Sequence, residues 1–395
     1  MTTPPLFSLA PVAPPPWGRA LVTAGTGFLG SHLCERLLDA GVEVDCVDRA
    51  DRADRADRAD RADRVDRVPD PADDIAHLAD SPGFRFLERD LVRPGCPGSL
   101  PGPYDLVLHL TCRTLGASDS DAASDAARTR NALATAERDG ARFLLVSTCA
   151  QHASERLSEE LTTAHAAAHE ADAGIVRAFP AYGPRMGPDD GGGLIPALIR
   201  QALDGGPVTV PGDGRAIPSL CYVDDLVDGV LLVAASRSVR PVDIGGDPGA
   251  SVERIARQVI ELTGSHARLE FGGAPADTAE PPPPETGFAH ELYGWTPRVT
   301  WEDGLKRTIA YCLDRRDRRN RLDARDWPGG LDRLEDPGGP HRREGRDDRD
   351  GLGGLDRPDR SGGAARLDLP GGPDRPGGPG RPGQANRSDR RGSVS

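Results

Sequence analysis

The chain has 395 residues, a formal net charge of −13, only 4% aromatic residues, and 48 glycines with 37 prolines gathered mostly toward its ends. That length allows two domains, but the composition means that part of the chain lies outside any hydrophobic core. The acidic balance argues against nucleic acid or an anionic membrane surface as partner, and no apolar run approaches the roughly 18 residues of a membrane-spanning helix.

Residues 1–17 read as a proline-rich, disordered leader without the basic start of a secretory signal. The seven cysteines are scattered with no CxxC pair, which predicts reduced thiols and a cytoplasmic protein. From Arg19 to Asp48 the chain reads RALVTAGTGFLGSHLCERLLDAGVEVDCVD. An apolar strand (Ala20–Thr23) meets a glycine-rich turn, a helix-period segment runs Ser31–Ala40, and a second strand (Val42–Val47) ends in Asp48. Strand, glycine turn, helix, strand and acid in this register predict a dinucleotide site. The glycines allow close backbone approach to a pyrophosphate. The helix N-terminus supplies N–H groups and positive dipole, and Asp48 can accept from ribose hydroxyls. The cofactor-binding candidates of the turn are Gly25, Gly27, Phe28, Leu29 and Gly30.

An Asp-Arg-Ala repeat follows over residues 50–68. Its i,i+4 charge pairs suit a helix, but a three-residue period keeps no face apolar, so it reads as a solvated insertion. Alternation then resumes: Phe84–Leu87, Tyr104–Leu110, Arg142–Thr148 and Gly174–Phe179 as strands, Ala122–Asp139 and Leu157–Ala171 as helices. The expected fold is an α/β, doubly wound parallel sheet (Rossmann) over residues 18–180, with right-handed crossovers. A smaller C-terminal substrate lobe is expected over 181–314, built on helical pieces such as GLIPALIRQALDG and SVERIARQVIELTG. Residues 315–395 are Arg, Asp, Gly and Pro with little apolar periodicity, and read as a disordered tail.

The segments VTAGTGFLGSHLCERLL, YDLVLHLTC, GARFLLVST, RAFPAYGPRM, SLCYVDDLVDG and LYGWTPRVTWEDGLKRTIAY carry a family resemblance. The chain resembles the extended short-chain dehydrogenase/reductases of the NAD-dependent epimerase/dehydratase family, most closely their UDP-glucuronate decarboxylase branch. The resemblance implies NAD as cofactor, a UDP-sugar as ligand, and a homodimer or a heterodimer with an active paralogue. It places Asp48 at the ribose, Asp90 and Leu91 at the adenine, Leu110 on the strand flanking the cofactor, and Thr148 at the catalytic Ser/Thr position.

The chain departs from the family where the chemistry lies. The first family glycine is Ala24. The YxxxK tyrosine, which takes the hydroxyl proton with its pKa lowered by the lysine, falls at Gln151 and the lysine at Glu155. Pro180, Ala197 and Pro218 stand where the family binds the sugar nucleotide, leaving Arg185 and Arg215 as phosphate candidates. These substitutions predict a catalytically impaired protein. The alternatives are an active enzyme rewired through Thr148 with His152 or Glu155, and a non-enzymatic partner subunit. Cys149 reads as a small buried thiol, since no base accompanies it. No metal site is expected, because no acid or cysteine joins His165 and His169 at a known spacing. Asp224 and Asp225 are expected to cap a helix starting at Leu226.

Overall fold

The structure is a computed structural model that describes residues 16–48, 74–111, 122–149, 153–186, 193–238, 240–246, 249–272 and 284–325. The repeat at 50–68, Gln151, His152 and nearly all of the leader and tail fall outside the described residues. The chain divides into two units, Met1–Gly329 and Gly330–Ser395, and every described residue belongs to the first.

Seven strands form one parallel sheet: β1 (Arg19–Thr23), β2 (Glu43–Asp48), β3 (Phe84–Glu88), β4 (Leu106–Leu110), β5 (Arg142–Thr148), β6 (Ala173–Ala178) and β10 (Val242–Ile244). Their spatial order is β10-β6-β5-β4-β1-β2-β3. The chain therefore leaves β1 toward one edge and returns at β4 to build toward the other. The switch point between β1 and β4 opens a crevice at the strands' carboxyl ends. The doubly wound parallel sheet is the architecture expected, with β10 added at one edge by a segment beyond residue 180.

The apolar runs of the central strands are buried on both faces, as a sheet covered by helices requires. One face packs Val22, Val44, Leu108 and Val146 against Leu33 and Leu37 of α1 (Phe28–Asp39) and Leu226 and Val230 of a helix at Val223–Ala234. The other packs Leu21, Val107, Phe143 and Leu145 against Ala132, Leu133 and Ala136 of a helix at Ala122–Asp139. In chain order the helices after α1 are α2 (Cys96–Ser99), α3 (Ala122–Asp139), α4 (Ala153–His169), α5 (Leu194–Leu203), α6 (Val223–Ala234), α7 (Val252–Thr263), α8 (Gly287–Tyr293) and α9 (Trp301–Arg325). Two short parallel pairs complete the strands: β7 (Ala181–Tyr182) with β9 (Cys221–Tyr222), and β8 (Val208–Val210) with β11 (Leu269–Phe271). No helix among the described residues is long and apolar enough to cross a membrane.

α7 shows how the local code operates. Ser251 caps it by accepting from the Arg254 amide at 3.3 Å, and Gly264 ends it in the left-handed region at φ 65°. α6 departs from expectation. It starts at Val223 rather than Leu226, and neither Asp224 nor Asp225 accepts a capping bond. The buried Asp225 carboxylate instead accepts from the amides of Arg298 and Val299 at 3.0 and 2.8 Å, tying the approach to α9 onto α6.

Candidate functional site

The turn after β1 is built by close approach. A Cβ on Gly25 would lie 2.6 Å from Cys46 Sγ, and one on Gly30 would lie 2.5 Å from the Ala24 carbonyl oxygen. Both glycines are demanded by the packing of turn, β2 and α1. Gly27 differs: a Cβ there would meet nothing nearer than that same oxygen at 3.5 Å, so the outer face of the turn is bare backbone. Phe28 and Leu29 open α1, whose first turn carries no acidic residue. This end of α1 thus offers N–H groups and positive dipole without a side-chain anion of its own. Ala24 holds φ 51°, the conformation that the missing glycine would adopt without strain.

Asp48 ends β2 and accepts from both the amide and the hydroxyl of Thr26, so the acid and the turn are already joined. A bare glycine cradle at a helix N-terminus with a carboxylate at the next strand's end fits a dinucleotide. Leu110 ends β4 beside this crevice, its amide donating to Thr23 Oγ1 at 3.2 Å. Asp90 and Leu91 follow β3. The Asp90 carboxylate accepts from the Val92 amide at 3.0 Å, while Leu91 is buried and its carbonyl accepts from Asn131 Nδ2 at 2.7 Å.

Between the turn and α4 runs a buried polar relay that the sequence did not bring into view. His109 Nδ1 lies 2.8 Å from Thr23 Oγ1, and its Nε2 lies 3.1 Å from Thr129 Oγ1. Thr129 in turn lies 3.0 Å from Ser158 Oγ on α4. Burial, with the Arg128 charge assisting, pulls His109 down to about 3, so its ring is neutral at physiological pH. An apolar run (LVLHL) conceals such a residue, since nothing local marks His109 as hydrogen-bonded.

Thr148 closes β5, and its hydroxyl donates to Glu155 Oε1 at 3.3 Å. Glu155 sits in the first turn of α4, 2% exposed, and its Oε2 is buried without a hydrogen-bond partner among the described residues. Its side chain brings a buried carboxyl group beside the Thr148 hydroxyl. Burial pushes the Cys149 thiol up to about 11, which makes it a poor nucleophile at neutral pH.

The phosphate candidates separate. Arg215 is exposed on the surface. Arg185 is buried, takes a left-handed φ of 68°, and pairs with Glu35, His32 Nδ1 (2.7 Å) and His77 Nε2 (3.2 Å). It locks the turn after β7 to α1 and is committed there. Burial, reinforced by Arg185, lowers His32 to about 4. Burial works to raise the Glu35 carboxyl, but Arg185 outweighs it and holds Glu35 below the usual range. His165 and His169 lie elsewhere on α4, facing an acid of α3, Glu137, that their own spacing did not reveal.

A model of the NAD dependent epimerase/dehydratase family matches residues 20–156 and 152–245. Among similar proteins, UDP-glucuronic acid decarboxylase 4 of Arabidopsis thaliana is 29% identical over 324 residues, covering 73% of this chain and 67% of the relative. UDP-glucuronic acid decarboxylase 1 of Xenopus tropicalis is 28% identical over 331 residues, covering 74% and 72%. The UDP-glucuronic acid 4-epimerase of Bacillus cereus, solved with UDP-glucuronic acid and NAD, superposes with a TM-score of 0.64 at 22% identity, covering 75% of this chain and 99% of the other. Epimerase Mth375 of Methanothermobacter thermautotrophicus gives 0.66 at 19% identity, covering 77% and 94%. These structural likenesses speak to the fold.

Proposed function

The chain belongs to the NAD-dependent epimerase/dehydratase family, and from that membership we propose an NAD-binding, UDP-glucuronate decarboxylase-like protein whose proton-transfer step is impaired. Bound NAD supplies a reversible hydride acceptor. The turn Gly25–Gly30 holds the pyrophosphate on the N-terminus of α1, Asp48 takes the ribose, and Asp90, Leu91 and Leu110 line the remaining contacts. The ligand class is a UDP-sugar.

The observation that carries the reading is Glu155, buried beside Thr148. A general base here must remove a sugar hydroxyl proton as hydride leaves. In the family a lysine and the cofactor's positive nicotinamide lower the tyrosine to that task. A buried carboxylate works in the opposite direction, because a nearby negative charge disfavours the anionic form of any acid. Pro180, Ala197 and Pro218 also give no side-chain donor to a diphosphate.

The Thr148–Glu155 contact favours one second reading, in which this pair replaces the absent base. Loss of a single general base leaves catalysis weaker by ~10²–10⁴ rather than abolished. Incubation with UDP-glucuronate and NAD, followed by mass spectrometry, separates the two. The impaired protein forms product no faster than its Thr148→Ala variant. A rewired enzyme outpaces both Thr148→Ala and Glu155→Gln. Partnership with an active paralogue is tested by co-purification of the full chain with such a protein.

A further inference from the structure

Glu137 near the end of α3 meets two imidazoles of α4, His165 and His169, which stand one helical turn apart. His169 Nδ1 lies 2.8 Å from Glu137 Oε1, and His165 Nε2 lies 3.5 Å from Oε2. The two rings stack with centroids 4.4 Å apart. One ligand atom from each residue falls within 4.8 Å of both others. A tetrahedral zinc site, with bonds of about 2.0–2.1 Å, needs ligand atoms ~3.3 Å apart, so closing this one takes only side-chain rotation.

Four further features suit a cation. His165 Nε2 is buried with no hydrogen-bond partner among the described residues, and it faces the Glu137 carboxylate. His169 ends α4, where the helix dipole is negative. The adjacent guanidinium of Arg138 is turned away, to Asp139 and to the carbonyls of Pro97 and Leu100. Glu137 and His169 are both about half exposed, which gives an ion a route in and leaves a fourth position for water.

We propose that Glu137, His165 and His169 form a binding site for a divalent transition-metal ion of the zinc class, clamping α3 to α4. Two imidazole nitrogens and one carboxylate oxygen suit Zn²⁺, and such a set also takes Co²⁺. The site lies apart from the glycine turn, so it stands or falls independently of the proposed function.

Isothermal titration of Zn²⁺ into the full-length protein is the test, with Co²⁺ absorption to identify the ligands. The expected result is one strongly bound ion, weakened at least about tenfold in His165→Ala, His169→Ala and Glu137→Gln. Metal should raise the melting temperature of the wild type and not of the variants, whose metal-free melting stays near wild type. The Co²⁺ spectrum should lack thiolate charge-transfer bands, because the chain's cysteines are the competing ligands. Unchanged affinity in the variants, thiolate bands, or no zinc uptake at high micromolar concentration overturns the proposal.

Discussion

Ala24 carries a measurable consequence of the departure from the glycine pattern. An L-residue in the left-handed region costs about 1–2 kcal/mol, part of which glycine gives back through the entropy of its unfolded chain. Ala24→Gly should therefore raise stability by roughly 0.5–1 kcal/mol in urea denaturation, and an unchanged or lower midpoint contradicts the strain. His109 and His32 set the acid limit. Their ordinary value is 6.5, and folding lowers them to about 3 and about 4. The folded state binds fewer protons in between, so their contribution is complete above 6.5 and is lost as pH falls toward those values. Each lost pH unit costs about 1.4 kcal/mol per histidine, so unfolding at ~pH 5 should be easier than at ~pH 7 by on the order of 2 kcal/mol for each. His109→Gln should flatten that slope even where it lowers stability overall; equal slopes would detach the effect from His109.

Among the elements, the turn and α1 were legible because glycine spacing, apolar period and a terminal acid all report local geometry. The same holds for the continuous apolar strands. What the pattern could not yield was which side chains meet across elements. Asp225 reads locally as a capping acid, yet its partners are amides more than seventy positions onward. His165 and His169 stand out in the sequence, but only the packing of α3 on α4 brings Glu137 to them. His109 hides within an apolar strand for the same reason, since its partners come from β1 and α3. Asp225→Ala should leave two part-buried amides without their acceptor and lower stability by about 1–2 kcal/mol, and a loss under ~0.5 kcal/mol would show that water replaces the carboxylate there. Gly30→Ala should be more damaging than Gly27→Ala, because the added methyl would clash with backbone at 2.5 Å in the first and make only an ordinary 3.5 Å contact in the second. Comparable stability of the two would contradict the packing account of the turn.

At the scale of the whole molecule, the sheet, its switch point and the glycine cradle agree with one another, while the function proposed above places the departure at the corner of Thr148 and Glu155. The cofactor half is built from backbone and packing, which tolerate sequence change as long as volumes are kept. On the proposed reading, the reactive half would depend on particular acids and bases at fixed positions, and Glu155, where the family resemblance expects lysine, would alter its chemistry without disturbing the fold. The most direct test measures both halves in one preparation: NADH binding by calorimetry, and conversion of UDP-glucuronate by mass spectrometry. The account predicts saturable NADH binding with product formation no faster than in Thr148→Ala. Absence of binding at millimolar NADH, or turnover at the ~1–10³ s⁻¹ typical of enzymes, would contradict it.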